Sequence, residues 1–326
     1  MRTSPIALVI GGNGGIGREV CLALKRHGWQ VRAVARHLPS ERNGIEWIQG
    51  DAMQRADVLA AANGVDVIVH AVNPPGYRQW DKLVLPMLDN TIAAAKANGA
   101  RIVLPGTIYN FGPDAFPLLR EDSPQHPHTR KGEIRAEMER RLAEAAHAGA
   151  RTLVLRCGDF FGPHAGNNWF SQGLLQVGKP VQTLRYPAEY AHEHAWAYLP
   201  DVAETMVRLL ERESDLGDFE AFNFGGYWLD GHAMVDAVRR AAGNPHVALR
   251  RFPWWLTALF APFVETLREM RKMRYLWKTP IRMDDAKLVA FLGGKPYLPL
   301  DEAVRATLVG LECVKAEHPH YNKAAL

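Results

Sequence analysis

Cysteine is scarce in this sequence. Its 326 residues include only Cys21, Cys157 and Cys313, which are far apart and form no C-x-x-C pair. That spacing argues against a disulfide framework or a structural zinc site and points to a reducing, cytoplasmic setting. Long apolar runs are missing too. None reaches the ~18 residues of a membrane span, and the longest candidate, 252–264, is broken by two prolines and a threonine. The chain enters an apolar strand pattern at once, so no signal peptide is expected. There is no G-x-S-x-G elbow or aspartate pair to suggest hydrolysis. Neither a metal nor a nucleic-acid partner is expected. The formal net charge is only +4, and residues 265–282 hold six basic against two acidic side chains. Behind the Trp-rich stretch before it, this segment reads in one of two ways. It is a membrane-surface contact over 252–282, or a lid or interface helix with a solvated basic face.

Apolar residues, at 47 %, are plentiful enough for a sizeable core. The chain is organised around Ile6-Ala7-Leu8-Val9-Ile10, which runs directly into Gly11-Gly12-Asn13-Gly14-Gly15-Ile16-Gly17 and then into a helical pattern from Arg18. Strand, glycine turn and helix are the parts of a dinucleotide-binding βα unit. Gly11 allows the turn, Gly14 lets the backbone approach a pyrophosphate, and Gly17 lets the helix pack closely. The helix N-terminus offers free N–H groups to the phosphates.

The second strand spans 30–35. An acid at its end would bond the adenosine ribose 2′-hydroxyl, but Arg36 stands there instead. A guanidinium suits a 2′-phosphate, so NADP(H) is favoured over NAD(H). A third strand at 45–49 leads to Asp51 and Ala52, with Asp51 placed to accept from the adenine amino group. A fourth at 65–70 leaves through Ala71-Val72-Asn73, whose small residues leave room for a flat cofactor. Asn73 and Tyr77 are candidates to face the nicotinamide or the substrate. Further strands are expected at 101–104 and 151–156, with helices at 83–98 and 131–147. Ile134, Met138, Leu142 and Ala145 form the apolar face of the second helix. Asp201 is expected to cap a helix through Leu210, and 222–226 reads as a last strand and turn. The chain beyond Leu229 reads as helical with proline breaks.

These alternating elements predict an α/β fold, a doubly wound parallel Rossmann sheet with a smaller C-terminal substrate lobe. Residues 1–163 and 196–228 would form the NADP-binding domain, and 164–195 with 229–326 the lobe. His192, His194 and His164 read as a polar patch of the lobe rather than a zinc site. Trp169, Trp196, Tyr198, Trp254 and Trp255 are open between lining a pocket and packing a core.

The ordered set Gly11 to Gly17, Asp51, Asn90, Arg156…Gly162-Pro163, 199–203 and 222–226 resembles the extended or atypical short-chain dehydrogenase/reductase superfamily. This group includes nucleotide-sugar epimerases and dehydratases. The resemblance covers nearly the whole chain and implies a catalytic Ser or Thr after the fifth strand plus Tyr-x-x-x-Lys on the next helix. Thr107 falls on the first position. The tyrosine position is Lys131 and the lysine position Arg135, so the usual proton donor is absent.

Three accounts fit the gap. Lys131 moves the proton, with its pKa lowered by burial and by Arg130 and Arg135, while Arg135 holds the cofactor ribose. Alternatively another tyrosine serves: Tyr109, which an extended segment would place on the same face as Thr107, or Tyr77. In the third account no proton moves. The expected function is an NADP(H)-binding oxidoreductase or epimerase-like enzyme acting on a small carbonyl, alcohol or sugar-type substrate, and it is compatible with a homodimer. The alternative is a catalytically silent NADP(H)-binding sensor or scaffold.

Overall fold

The structure is a computed structural model that describes residues 4–74, 79–166, 168–295 and 297–315. Its centre is a seven-stranded parallel sheet. The first five strands are β1 (Ile6–Ile10), β2 (Gln30–Ala35), β3 (Glu46–Gln49), β4 (Val67–His70) and β5 (Arg101–Thr107). After a short β6 (Leu118–Leu119) come β7 (Thr152–Cys157), β8 (Asp159–Phe161), β9 (Thr183–Tyr186), β10 (His194–Tyr198), β11 (Phe219–Phe224), β12 (Tyr227–Leu229), β13 (Ala248–Arg251) and β14 (Arg282–Met283). The central order is β11-β7-β5-β4-β1-β2-β3, the doubly wound arrangement expected from the alternating pattern.

The helices are α1 (Gly15–Arg26), α2 (Arg55–Ala61), α3 (Trp80–Asn98), α4 (Arg130–His147), α5 (Leu199–Leu210), α6 (Gly231–Ala242), α7 (Trp254–Phe260), α8 (Glu265–Lys272), α9 (Ala286–Leu292) and α10 (Leu300–Gly310). The inner strands β1, β4 and β7 are buried along their whole length because both sheet faces are covered, whereas the edge strand β3 is not. Along β1, Ile6, Leu8 and Ile10 pack with the side chains of α2, α3 and α4, while Ala7 and Val9 pack with those of α1 and α5. The expected face of α4, Ile134, Met138, Leu142 and Ala145, lies in the first of these cores.

A third core joins Phe161, Trp169, Tyr186, Trp196, Tyr198 and Trp277 to α6 and α10. Trp169, Trp196 and Tyr198 are thus core residues, whereas Trp254 is half-buried and Trp255 is exposed. The region beyond Leu229 is not only helical. β13 pairs with β9, and β14 with β6. These strands are too short to show alternation in the sequence.

The long loop before α4 is held over the sheet by a buried ion pair. Arg156 on β7 lies 2.8 Å from Glu139 on α4, and both side chains are 5 % exposed. Arg156 Nη1 also donates to the Glu121 carbonyl, and Gln125 Nε2 donates to Glu139 Oε2, each at 2.8 Å.

Asp201 does not cap α5. Tyr198 occupies the cap position without a side-chain bond, and Asp201 sits in the first turn. Its Oδ2 accepts from Tyr227 Oη and from the Leu298 N–H, both at 3.2 Å, which ties the helix to the segment before α10. Burial pushes the Asp201 carboxyl up to about 7. A raised carboxyl pKa means that the folded state holds the proton more tightly than the unfolded chain. The stabilisation is therefore complete at low pH and is lost as pH rises through about 7. Asp201→Asn is expected to flatten this pH slope and to raise stability at pH 8 by about 1–3 kcal/mol, as read by urea unfolding at several pH values. An unchanged slope would mean that Asp201 does not titrate in this range.

Candidate functional site: a groove at the switch point of the sheet

β2 and β4 flank β1 on opposite sides, so the chain reverses its winding at β1. Crevices at the carboxyl ends of strands form at such a point. Here the crevice is a groove in two parts, about 360 Å³ and 330 Å³, both bordered by Gly11, Val72 and Asn73.

The glycine turn divides the two parts. Gly11 has φ +93°, and a Cβ there would meet the Val72 N at 2.7 Å. A Cβ on Gly17 would overlap the Gly11 carbonyl oxygen. Only glycine therefore lets α1 begin against the turn. Gly14, Gly15 and Ile16 present the start of α1 to the second part of the groove.

Asn13, Arg36, His37, Asp51 and Ala52 line the first part. Asn13 Nδ2 donates to the His37 carbonyl at 3.0 Å and so ties the glycine turn to the loop that carries Arg36. Arg36 is exposed at the rim. His37 is a neighbour that sequence reasoning missed, because a surface histidine carries no spacing signal. The Asp51 carboxylate accepts from the Met53 N–H at 3.0 Å, and Asn90 Nδ2 donates to the Ala52 carbonyl at 2.9 Å.

Ala71, Val72 and Asn73 line the second part together with Thr107 and Arg135. Tyr77 lies outside the described residues. A one-turn 3₁₀ helix, Ile108–Asn110, follows β5, and the Tyr109 N–H donates to Thr107 Oγ1 at 2.8 Å. The segment is therefore not extended, and alternation does not put Tyr109 and Thr107 on one face.

Lys131 lies one helical turn before Arg135 and is buried, and neither it nor Tyr109 is among the residues that border the groove. Its Nζ is 3.4 Å from Glu269 Oε2 on α8 and 5.7 Å from the centre of the Trp80 ring. Burial pulls the amine down to about 8, against the opposing pull of Glu269. Glu269 also pairs with Lys272 at 2.8 Å. The sequence could not show this partner, since it stands 138 positions after Lys131.

His70 ends β4 and was also missed. It is 2 % exposed and borders the second part of the groove. Its Nδ1 is 2.8 Å from Thr91 Oγ1, whose own proton goes to the Met87 carbonyl. The ring therefore donates from Nδ1 and keeps an acceptor at Nε2, which has no hydrogen-bond partner among the described residues. Burial and the Arg135 charge hold its pKa down at about 3, so the ring stays neutral.

His194 and His164, weighed together in the sequence, go to separate partners. His194 Nε2 bonds Asp159 at 2.6 Å, and His164 Nδ1 bonds Glu19 at 2.7 Å.

A profile of the NAD dependent epimerase/dehydratase family matches residues 7–225, from β1 to just past β11. The chain belongs to this family. Members bind NAD(P), and the groove fits such a cofactor. Its glycine turn has no room for a side chain at Gly11 or Gly17, and the orphaned His70 Nε2 marks a polar demand at the far end.

The chain is similar to a 3-diazoavenalumate denitrifying reductase of a Streptomyces species, with 30 % identity over 225 residues, covering 64 % of this chain and 72 % of that one. It also resembles a 2-alkyl-3-oxoalkanoate reductase of Stenotrophomonas maltophilia, with 30 % identity over 173 residues and coverage of 48 % and 51 %. Among solved structures, the UDP-glucose 4-epimerase of Bifidobacterium longum in complex with NAD+ and UDP superposes with a TM-score of 0.71 at 17 % identity, over 94 % of this chain and 97 % of that one. That likeness supports the Rossmann fold. Among the described residues no helix is long and apolar enough to cross a membrane.

Proposed function

We propose that this family member is an NADP(H)-dependent reductase of a small organic acid bearing a carbonyl. The observation that carries the reading is that Thr107 and Arg135 border the same groove as the glycine turn, with Lys131 one helical turn away. The glycine turn and the start of α1 hold the pyrophosphate, Asp51 meets the adenine, and Arg36 with His37 meets the 2′-phosphate. Arg135 holds the nicotinamide ribose, and His70 Nε2 accepts a hydrogen bond at that end.

NADPH, when bound, supplies hydride to the substrate carbon. The Thr107 hydroxyl orients the carbonyl oxygen, and the Lys131 ammonium delivers a proton to that oxygen. Glu269 keeps the amine charged enough to donate near neutral pH. Tyr109 is the rival donor.

The substrate class is supported by the relatives, whose names are those of reductases acting on organic acid anions. It is also supported by an aromatic cavity of about 650 Å³ lined by Tyr186, Trp254, Trp277, Arg274 and Lys278, with Arg251 there paired to Glu189. Asn168 borders the groove, while its neighbour Trp169 packs its ring on Phe252, Trp254 and Trp277 of that cavity. The test is oxidation of NADPH with a panel of 3-oxo acids, aryl carbonyl acids and UDP-sugars. Turnover confined to the acids is expected. NADPH binding without turnover on any of them would make the protein a sensor instead.

A second prediction concerns the cofactor. Arg36→Ala is expected to weaken NADPH by about 10–100-fold, the worth of a charged hydrogen bond to phosphate, and to leave NADH unchanged. Calorimetric titration with both cofactors reads the difference. Equal losses would remove the 2′-phosphate from Arg36.

A further inference from the structure

α7 is built inside out. It turns few residues toward the protein: Trp254 at its start, half-buried against Trp169, then the small Thr257 and, one turn on, Ala261, both buried. Its other large apolar residues face outward: Trp255 is 68 % exposed and Leu259 61 %, with Leu256 and Phe260 exposed beside them, and Phe263 (85 %) and Val264 follow in the turn to α8. A surface helix ordinarily does the reverse, because each large apolar side chain left in water forgoes its burial energy. The base of the helix is tied to the rest of the protein by Trp254 Nε1, which donates to the Pro187 carbonyl at 2.8 Å. The apolar tip is therefore presented on a fixed support.

The chain on both sides of this tip is cationic. Residues 250–282 hold eight basic side chains against two acidic ones. Of the acids, Glu269 is engaged with Lys131 and Lys272. Arg268, Arg271, Arg274 and Lys278 are exposed, and the Arg274 guanidinium lies over the Trp254 ring at 5.2 Å. Aromatic and aliphatic side chains at a tip within a basic surround are complementary to one kind of partner. The tip enters the acyl boundary while the cations meet anionic headgroups. A second copy of this chain is a poor occupant, because a two-fold interface would set this cationic surface against itself.

We infer that the α7–α8 hairpin docks the protein peripherally on an anionic lipid bilayer, with Trp255, Leu259, Phe260 and Phe263 as the inserting side chains.

The test is flotation of the full chain with vesicles of phosphatidylcholine alone and of phosphatidylcholine with phosphatidylglycerol. Wild type is expected to float with the anionic vesicles, to stay behind with the neutral ones, and to be released by salt. The double variant Trp255→Ser/Phe263→Ser is expected to lose about tenfold or more of the vesicle partition. Arg268→Gln/Arg271→Gln is expected to lose the preference for anionic lipid. Circular dichroism and thermal melting show that the variants are folded, since all four side chains are exposed. Failure of the wild type to float with anionic vesicles overturns the inference. So does a double variant that floats like the wild type, or a concentration-dependent dimer in sedimentation that Phe263→Ser dissolves while no vesicle binding occurs.

Discussion

Lys131→Met is expected to lower reduction of a carbonyl substrate by about 100–10,000-fold, the usual worth of a positioned proton donor, while leaving NADPH affinity unchanged. The methionine fills the same buried space beside Trp80, so the loss falls on the proton and not on packing. The pH profile provides the check. In the proposed mechanism the ammonium gives the proton, and burial lowers its pKa to about 8. Reduction should therefore fall as pH rises through about 8, and oxidation of the alcohol should rise through the same range. Glu269→Gln removes the charge that favours the ammonium, so the limb should move to lower pH. Stopped-flow NADPH oxidation across the pH range reads both effects. An undiminished rate in Lys131→Met, with turnover lost in Tyr109→Phe, would transfer the role to Tyr109.

Arg156→Met is expected to cost about 3–5 kcal/mol, because it strands the Glu139 carboxylate in the core without its cation. The same change releases the Glu121 carbonyl and with it an anchor of the loop that precedes α4. Urea unfolding should show the loss. The double variant Arg156→Met/Glu139→Met should recover much of it, since no charge is then left buried. A cost below about 1 kcal/mol for the single variant would mean that the pair behaves as an exposed one.

The glycine turn and the sheet were legible because their causes are local. Ile6 to Ile10 is apolar on both faces, and only a strand covered on both sides needs that. The first strand boundary and the start of β2 matched the expectation at the residue level. The end of α3 was readable at Gly99, whose φ of +63° suits glycine. Arg36 was found by its position after β2, and it does border the groove.

Other features had no local cause to read. Tyr109 was placed by strand alternation, but Thr107 accepts its N–H and turns the chain into a 3₁₀ helix. Asp201 has the composition of a cap, yet it is held inside the first turn of α5 by Tyr227 and Leu298.

The sequence by itself determined the α/β fold and the glycine turn that follows the first strand. Periodicity and spacing are enough for these because neighbours in the chain set them. Tertiary structure alone decided what surrounds Lys131. Glu269 reaches it from α8, and burial sets its proton affinity. It also left His70 Nε2 without a partner among the described residues and turned Trp255, Leu259 and Phe260 of α7 outward. Each depends on which distant segments exclude water from a group, and no pattern within one stretch of chain encodes that.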